Sequence, residues 1–183
     1  MNEIIHSPTG IIHFLSALVA LGLGPLVLYL PKGSMLHRRV GYGYAAAMII
    51  MLLTAFSIYA LFGGFGVFHW LAVLSTLTLI GGMVPIVLQR PAKTYLTYHF
   101  SFMYWSVIGL YLALFGEVAA HLPAMLGLTG KPAVGLLVIV GVGALAFCLG
   151  AQLIWNRQKR EWYNRYGTIA TGESAKLPPQ ANS

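Results

Sequence analysis

Along this chain, apolar stretches of roughly equal length alternate with short polar clusters. A membrane-crossing helix needs about 20 mainly apolar residues. Five stretches reach that length, near residues 10–30, 40–62, 67–88, 94–117 and 132–155. The first four hold almost no charge until Glu117, at the end of the fourth. The second and third are divided at "FGGFG", where Gly63, Gly64 and Gly66 favour a turn. Undivided, they would far exceed the hydrocarbon thickness. The pattern predicts an all-α, polytopic membrane bundle of five transmembrane helices over residues 1–166. Residues 167–183 are polar, contain two adjacent prolines, and read as a disordered tail.

Composition sharpens this picture. Of 183 residues, 58% are hydrophobic and only 8% charged, against about 25% charged in a soluble domain. Such a chain could not cover its surface with polar groups in water, and its length suits one bundle. Its net charge of +7 is distributed by loop. Lys32, Arg38 and Arg39 fall in the first loop, Arg90 and Lys93 in the third, and Arg157, Lys159, Arg160 and Arg165 after the last helix. The positive-inside rule then places the N-terminus outside and the C-terminus in the cytoplasm. The same charges attract anionic lipid headgroups, and Trp155, Trp162, Tyr163 and Tyr166 are placed to anchor at headgroup level. Nucleic acid is a poor partner, because the basic residues are split among short loops.

The start "MNEIIHSPTG" holds Glu3 and no basic residue before the apolar run, so the first helix reads as retained rather than as a signal peptide. Cys148 is the sole cysteine, which excludes an internal disulfide and a thiolate metal cluster. No serine–histidine–acid set, zincin or P-loop pattern is spelled out.

The histidines are the candidates for chemistry. With the predicted topology, His13 and His69 lie near the outer ends of the first and third helices. His99 lies near the inner start of the fourth helix, and His37 lies just before the second. Two levels result, an outer pair His13/His69 and an inner pair His37/His99. "HFLSALVALGLGPLVLYLPK" and "HWLAVLSTLTLIGGMVPIVLQRPAK" also read as a degenerate repeat, related by an axis along the membrane normal. Neutral imidazole is an axial ligand for haem iron and also binds zinc or copper. Ionisable groups within a bilayer usually face the bundle interior. Histidine pairs at two depths would therefore suit haem b groups on an electron path. "GYGYAAA", "ALGLG" and "LIGGM" offer small residues for a flat macrocycle, and Phe14, Trp70, Tyr98, Phe100 and Tyr104 offer walls.

Plainer readings stand beside these. Interfacial histidines beside aromatic residues also serve as anchors. Ser16, Ala20 and Gly24 form a stripe of small residues suited to helix packing, and Pro25 and Pro85 kink their helices, each freeing a carbonyl. His99 and Met103 share a helix face at i,i+4, a set that fits copper or haem, while Met103 also serves as core filler. Glu117 and His121 have the same spacing and, with His6 or His13, would make an outer zinc site or a simple hydrogen-bonded pair. Pro123 limits how far that helix continues.

The stretch "GIIHFLSALVALGLGPLVLYLPKGSMLHRRVGYGYAAAMIIMLLTA" resembles the opening of the DUF2306 family of predicted bacterial membrane proteins. The resemblance rests on His13 and on the loop residues Pro31, Lys32, Gly33, His37, Arg38, Arg39 and Gly41, with His69 and His99 as further matches. It covers roughly residues 10–120 and implies a multi-pass protein of a bacterial cytoplasmic membrane. More distantly, the layout is similar to b561-type membrane cytochromes, whose histidine pairs hold two haems within helices. His37 departs from that pattern by lying at a loop boundary, where its loop also suits lipid phosphate.

The leading expectation is thus a haem b membrane protein carrying electrons through His13, His37, His69 and His99, with a redox partner, a quinone or a membrane-protein complex as its correspondent. The alternatives are a haem-free zinc or copper protein drawing on His13, His69, His99, Met103, Glu117 and His121, and a structural subunit or small transporter.

Overall fold

Ser7 starts the first helix: its hydroxyl accepts the Gly10 N–H at 3.0 Å, and Pro8 follows at a position where no N–H is needed. The computed structural model describes residues 7–58, 64–90 and 94–171, with side chains through Trp162. His6, Lys93, the side chains of Tyr163, Arg165 and Tyr166, and the tail beyond residue 171 lie outside that description. Five helices follow in order among the described residues: α1 (Pro8–Tyr29), α2 (Met35–Ala55), α3 (Val67–Leu88), α4 (Tyr95–Met125) and α5 (Lys131–Thr171).

The protein has a multi-pass membrane architecture. Helices α1, α3 and α4, together with the Lys131–Trp162 portion of α5, are long and apolar enough to cross a bilayer. Helix α2 carries Arg38 and Arg39 in its opening turns and is less apolar than α1, α3 and α4. It compensates by enclosing Tyr44, Ala45, Ala47, Met48, Met51 and Leu52 within the bundle.

Helices α1 to α4 close into a ring: each packs on its two sequence neighbours, and α1 closes the circle against α4. Among the described residues, α5 packs on α4 alone. This leaves α1 opposite α3 and α2 opposite α4, so side chains meet across the bundle axis without direct helix contact.

Lipid tails are as apolar as leucine, so leucine gains little by turning inward, and close helix approach falls to small residues. The distribution follows that logic. Leu15, Leu18, Leu53, Leu77, Val138, Leu145 and Leu149 face outward, while Ser16, Ala20 and Gly24 are buried. A methyl built on Gly24 would lie 3.1 and 3.3 Å from the Val107 methyls and 3.4 Å from the Tyr44 ring. Tyr44 and Met48 are wholly enclosed, and Tyr44 bonds Ser106 of the opposite helix, hydroxyl to hydroxyl, at 2.9 Å.

Pro25 lacks the N–H that would satisfy the Leu21 carbonyl four residues earlier. Tyr111 of α4 supplies the missing donor, its hydroxyl 2.9 Å from that oxygen. The carbonyl that Pro25 frees is thus met from inside the protein, as hydrocarbon requires.

The helix bounds differ from the hydropathy reading in ways local chemistry explains. Ser34 accepts the His37 N–H at 3.1 Å and starts α2 at Met35, ahead of the predicted residue 40. His37 therefore belongs to the first helical turn, not to a loop. At the other end α2 stops at Ala55 and the chain turns at Phe56–Ser57, short of residue 62. Helix α4 runs past residue 117 and through Pro123 to Met125, where a proline so near the end disturbs little. Helix α5 continues beyond residue 155 as a single element to Thr171.

Candidate functional site

The two ends of the ring hold different arrangements. At one end, where α1 ends and α2 begins, His37 and His99 face each other across the bundle axis. Their ring centroids are 6.4 Å apart, with the ring planes at 85°. The helix caps explain this meeting. Ser34 draws His37 into the first turn of α2, and His99 stands one turn into α4 on the diagonal that also carries Tyr44 and Ser106.

The hydrogen bonds fix a tautomer for each ring, since a carbonyl can only accept. His99 Nδ1 donates to the Gly82 carbonyl of α3 at 2.8 Å, leaving the lone pair on Nε2. His37 bonds the Val27 backbone of α1, while its Nδ1 is buried with no hydrogen-bond partner. Each imidazole is therefore held by a backbone group of a neighbouring helix through one nitrogen and keeps the other for a further partner. Histidines that ligate metals are usually oriented this way.

Lys32 completes this end. It is partly buried, its ammonium donates to the Leu28 and Leu30 carbonyls at the end of α1, and it lies 5.5 Å from the Trp162 ring centre. Burial holds its pKa below the usual lysine value. Next to His99 in the chain, Phe100 joins Tyr104, Trp155 and Trp162 in a cluster of tilted and edge-on rings, and Tyr104 donates to the Ala151 carbonyl at 2.6 Å, tying α5 to the ring.

At the other end the outer pair occupies separate settings. His13 Nδ1 donates to the Met51 carbonyl at 3.0 Å and lies 3.1 Å from the Thr54 hydroxyl, locking α1 to α2. His69 is buried, and its Nδ1 accepts the Gly66 N–H at 3.1 Å, so the ring caps its own helix and carries its proton on Nε2. It also stacks on Phe65, with centroids 4.8 Å apart. Both residues lie on the α1/α3 diagonal, whose helices do not touch.

The remaining candidates separate. Met103 is buried on the diagonal, and a methyl on Gly82 would fall 2.7 Å from its sulfur. One on Gly81 would fall 2.8 Å from the Phe102 ring. The space beside "LIGGM" is thus filled by α4 side chains, and these glycines serve helix approach. Glu117 and His121 do share a face, with Nδ1 to Oε2 at 3.2 Å, but the pair is partly exposed. Among the described residues, no group of three or more His, Cys, Asp or Glu side chains gathers as a metal site. Of the predicted wall residues, Phe14, Trp70 and Tyr98 are exposed on the outside of the bundle, and only Phe100 and Tyr104 are buried.

Sequence reasoning missed Tyr44, Ser106 and Tyr111 as the polar ties of the interior. Their signal was a hydroxyl amid apolar helix residues, but Tyr44 and Ser106 are 62 residues apart and Tyr111 and Leu21 are 90 apart. No protein-family model, curated protein or solved structure matches the chain.

Proposed function

We propose that the protein is a membrane-embedded haem b protein that carries electrons, with His37 and His99 as the two axial ligands. The observation that carries this reading is the pair of facing imidazoles, each backbone-anchored through one nitrogen, with the lone-pair nitrogen of His37 buried and unpartnered. The pair stands 6.4 Å apart.

The donor count favours haem over a bare ion. A structural zinc needs four ligands and a catalytic one three, whereas iron in a macrocycle asks the protein for only one or two. Two imidazoles, with no group of three or more His, Cys, Asp or Glu side chains among the described residues, suit the second case. Haem, when bound, would supply one-electron chemistry. The chain's part would be to hold both imidazoles, keep water out through the buried Tyr44–Ser106 layer, and tie the site to α5 through the aromatic stack.

The same reading places five spans in the membrane, with α2 as the fifth, the N-terminus outside and the His37/His99 end at the cytoplasmic face. Lys32, Arg38, Arg39 and Arg90 all lie at that end, which supports this orientation. A bacterial cytoplasmic membrane is part of the same proposal, and no family match carries it.

The test is a reduced-minus-oxidised optical spectrum of detergent-purified protein, with haem, zinc and copper measured on the same sample. Sharp α and Soret bands are expected, lost in His37→Ala and in His99→Ala and retained in His13→Ala. A colourless protein, or one with stoichiometric zinc or copper instead, overturns the reading.

A further inference from the structure

Helix α5 packs on α4 alone among the described residues, so most of its circumference faces outward. On that outward face the sequence keeps a strict rhythm. From Lys131 to Lys159, steps of four and three residues alternate without a break, the seven-residue repeat of helices that pack on one another. Lys131 opens the seam and Gly135 follows. Val138, Val142, Leu145, Leu149, Gln152 and Asn156 continue it, and all six are exposed, the four apolar ones between 58% and 67%. The two lysines lie about 42 Å apart along the helix. That is the thickness of a bilayer with its headgroups, so the seam matches the depth of a membrane.

Two features of the seam point to a protein partner rather than to lipid. The first is its amides. Gln152 donates to the Asn156 carbonyl oxygen at 3.2 Å, and Lys159 donates to the same oxygen at 3.2 Å. The Gln152 carbonyl oxygen and the Asn156 N–H groups have no partner among the described residues, on a face that is otherwise apolar. An unbonded amide against hydrocarbon is costly, and amides hydrogen-bond one membrane helix to another. The second is the order of residues within the repeat. Val142 and then Leu145 take its two core positions in the order that favours a pair of strands, and Asn156 falls where an asparagine sets register. Gly135, on the same seam, has nothing within 4 Å of where a methyl would stand, leaving its backbone open to close approach.

We propose that a second copy of this chain docks on this seam, α5 against α5, with Gln152 and Asn156 bonding across the interface. All copies enter a membrane in one orientation, so two α5 helices run parallel. A two-fold axis along the membrane normal then sets each seam residue opposite its counterpart. A copy brings valine to valine, leucine to leucine and amide to amide at matching depth. An amide holds both donors and an acceptor, so it complements itself. The inference is independent of the haem reading, because the seam is a different face of α5 from Ala151 and Trp155, which are buried against Tyr104 of α4.

The test uses the full chain in the membranes of the cells that express it, in a Cys148→Ser background that has no other cysteine. Single cysteines are placed on the seam, Val142→Cys and Leu149→Cys, and off it, Leu137→Cys and Ile154→Cys. All four positions are exposed, so none opens the core. On mild oxidation the seam variants should form a disulfide-linked dimer about tenfold faster than the others, because a disulfide needs Cα atoms within about 7 Å of each other. In detergent, light scattering should give twice the chain mass, and Gln152→Leu combined with Asn156→Leu should weaken the dimer about three- to tenfold. Equal cross-linking at all four positions overturns the inference, as does a monomer at every protein concentration. Seam cysteines that link to a different protein in place of a second copy, or to nothing, also overturn it. So does an undiminished dimer in the double amide variant.

Discussion

Gly22 and Gly24 lie two residues apart on α1 and make opposite predictions when replaced by alanine. A methyl on Gly22 meets nothing within 4 Å, whereas one on Gly24 falls 3.1 and 3.3 Å from the two Val107 methyls. Carbon atoms rest at about 3.5–4.0 Å, so the second methyl must push Val107 by a few tenths of an ångström. Val107 is 2% exposed, and β-branching leaves its χ1 little freedom. Overpacking of this kind costs about 1–3 kcal/mol. Both substitutions gain the same helix propensity, up to about 1 kcal/mol, which cancels when the two variants are compared. Gly24→Ala should therefore be less stable than Gly22→Ala by about 1–3 kcal/mol. Each variant would be unfolded in matched detergent, with thermal and denaturant midpoints read by circular dichroism. Two variants of equal stability would refute the claim that Gly24 is the contact between α1 and α4, and with it the closed ring.

Further expectations follow from other parts of the structure. Tyr44→Phe and Ser106→Ala should each destabilise the protein by about 0.5–1.5 kcal/mol and, combined, by less than their sum, as one shared hydrogen bond demands; additive effects in a double-mutant cycle would break the pairing. Glu117→Gln should change stability by less than about 0.5 kcal/mol, because the His121 pair is partly exposed, and a larger loss on thermal melting would mean that the pair does more than the geometry shows. In a Cys148→Ser background, which has no other cysteine, Met35→Cys and Gly64→Cys should react with an impermeant maleimide from opposite sides of sealed vesicles. Labelling from the same side would remove α2 from the set of spans.

The all-α bundle and its apolar helices were legible because hydropathy reports the cost of placing backbone and charge in lipid, a local quantity. The small residues of α1 were legible for a similar reason: Ser16, Ala20 and Gly24 recur at the spacing of one helix face, and that face is buried. What pairs across the bundle was not. His37 and His99 meet because the Ser34 cap starts α2 early and because α2 and α4 share a diagonal, and neither fact is visible in hydropathy. His69 showed an apolar neighbourhood, but nothing in its spacing announced that its ring would accept the N–H of Gly66. Gly81 and Gly82 looked like room for a flat ligand. Their neighbours turned out to be Phe102 and Met103, since a gap opened by one helix is available to whichever side chain the adjacent helix brings.

The bond from Tyr111 to Leu21 has a consequence for how the chain is made. Those residues are 90 positions apart, so at about 5–20 residues per second Leu21 emerges roughly 5–18 s before its donor. Throughout that interval α1 sits in lipid with a backbone oxygen that its own helix cannot satisfy, because Pro25 has taken the donor away. Release of the nascent chain before α4 is complete would leave that oxygen exposed to hydrocarbon or to a borrowed partner. The open carbonyl of the first helix thus acts as a record of assembly, cleared when the fourth helix arrives.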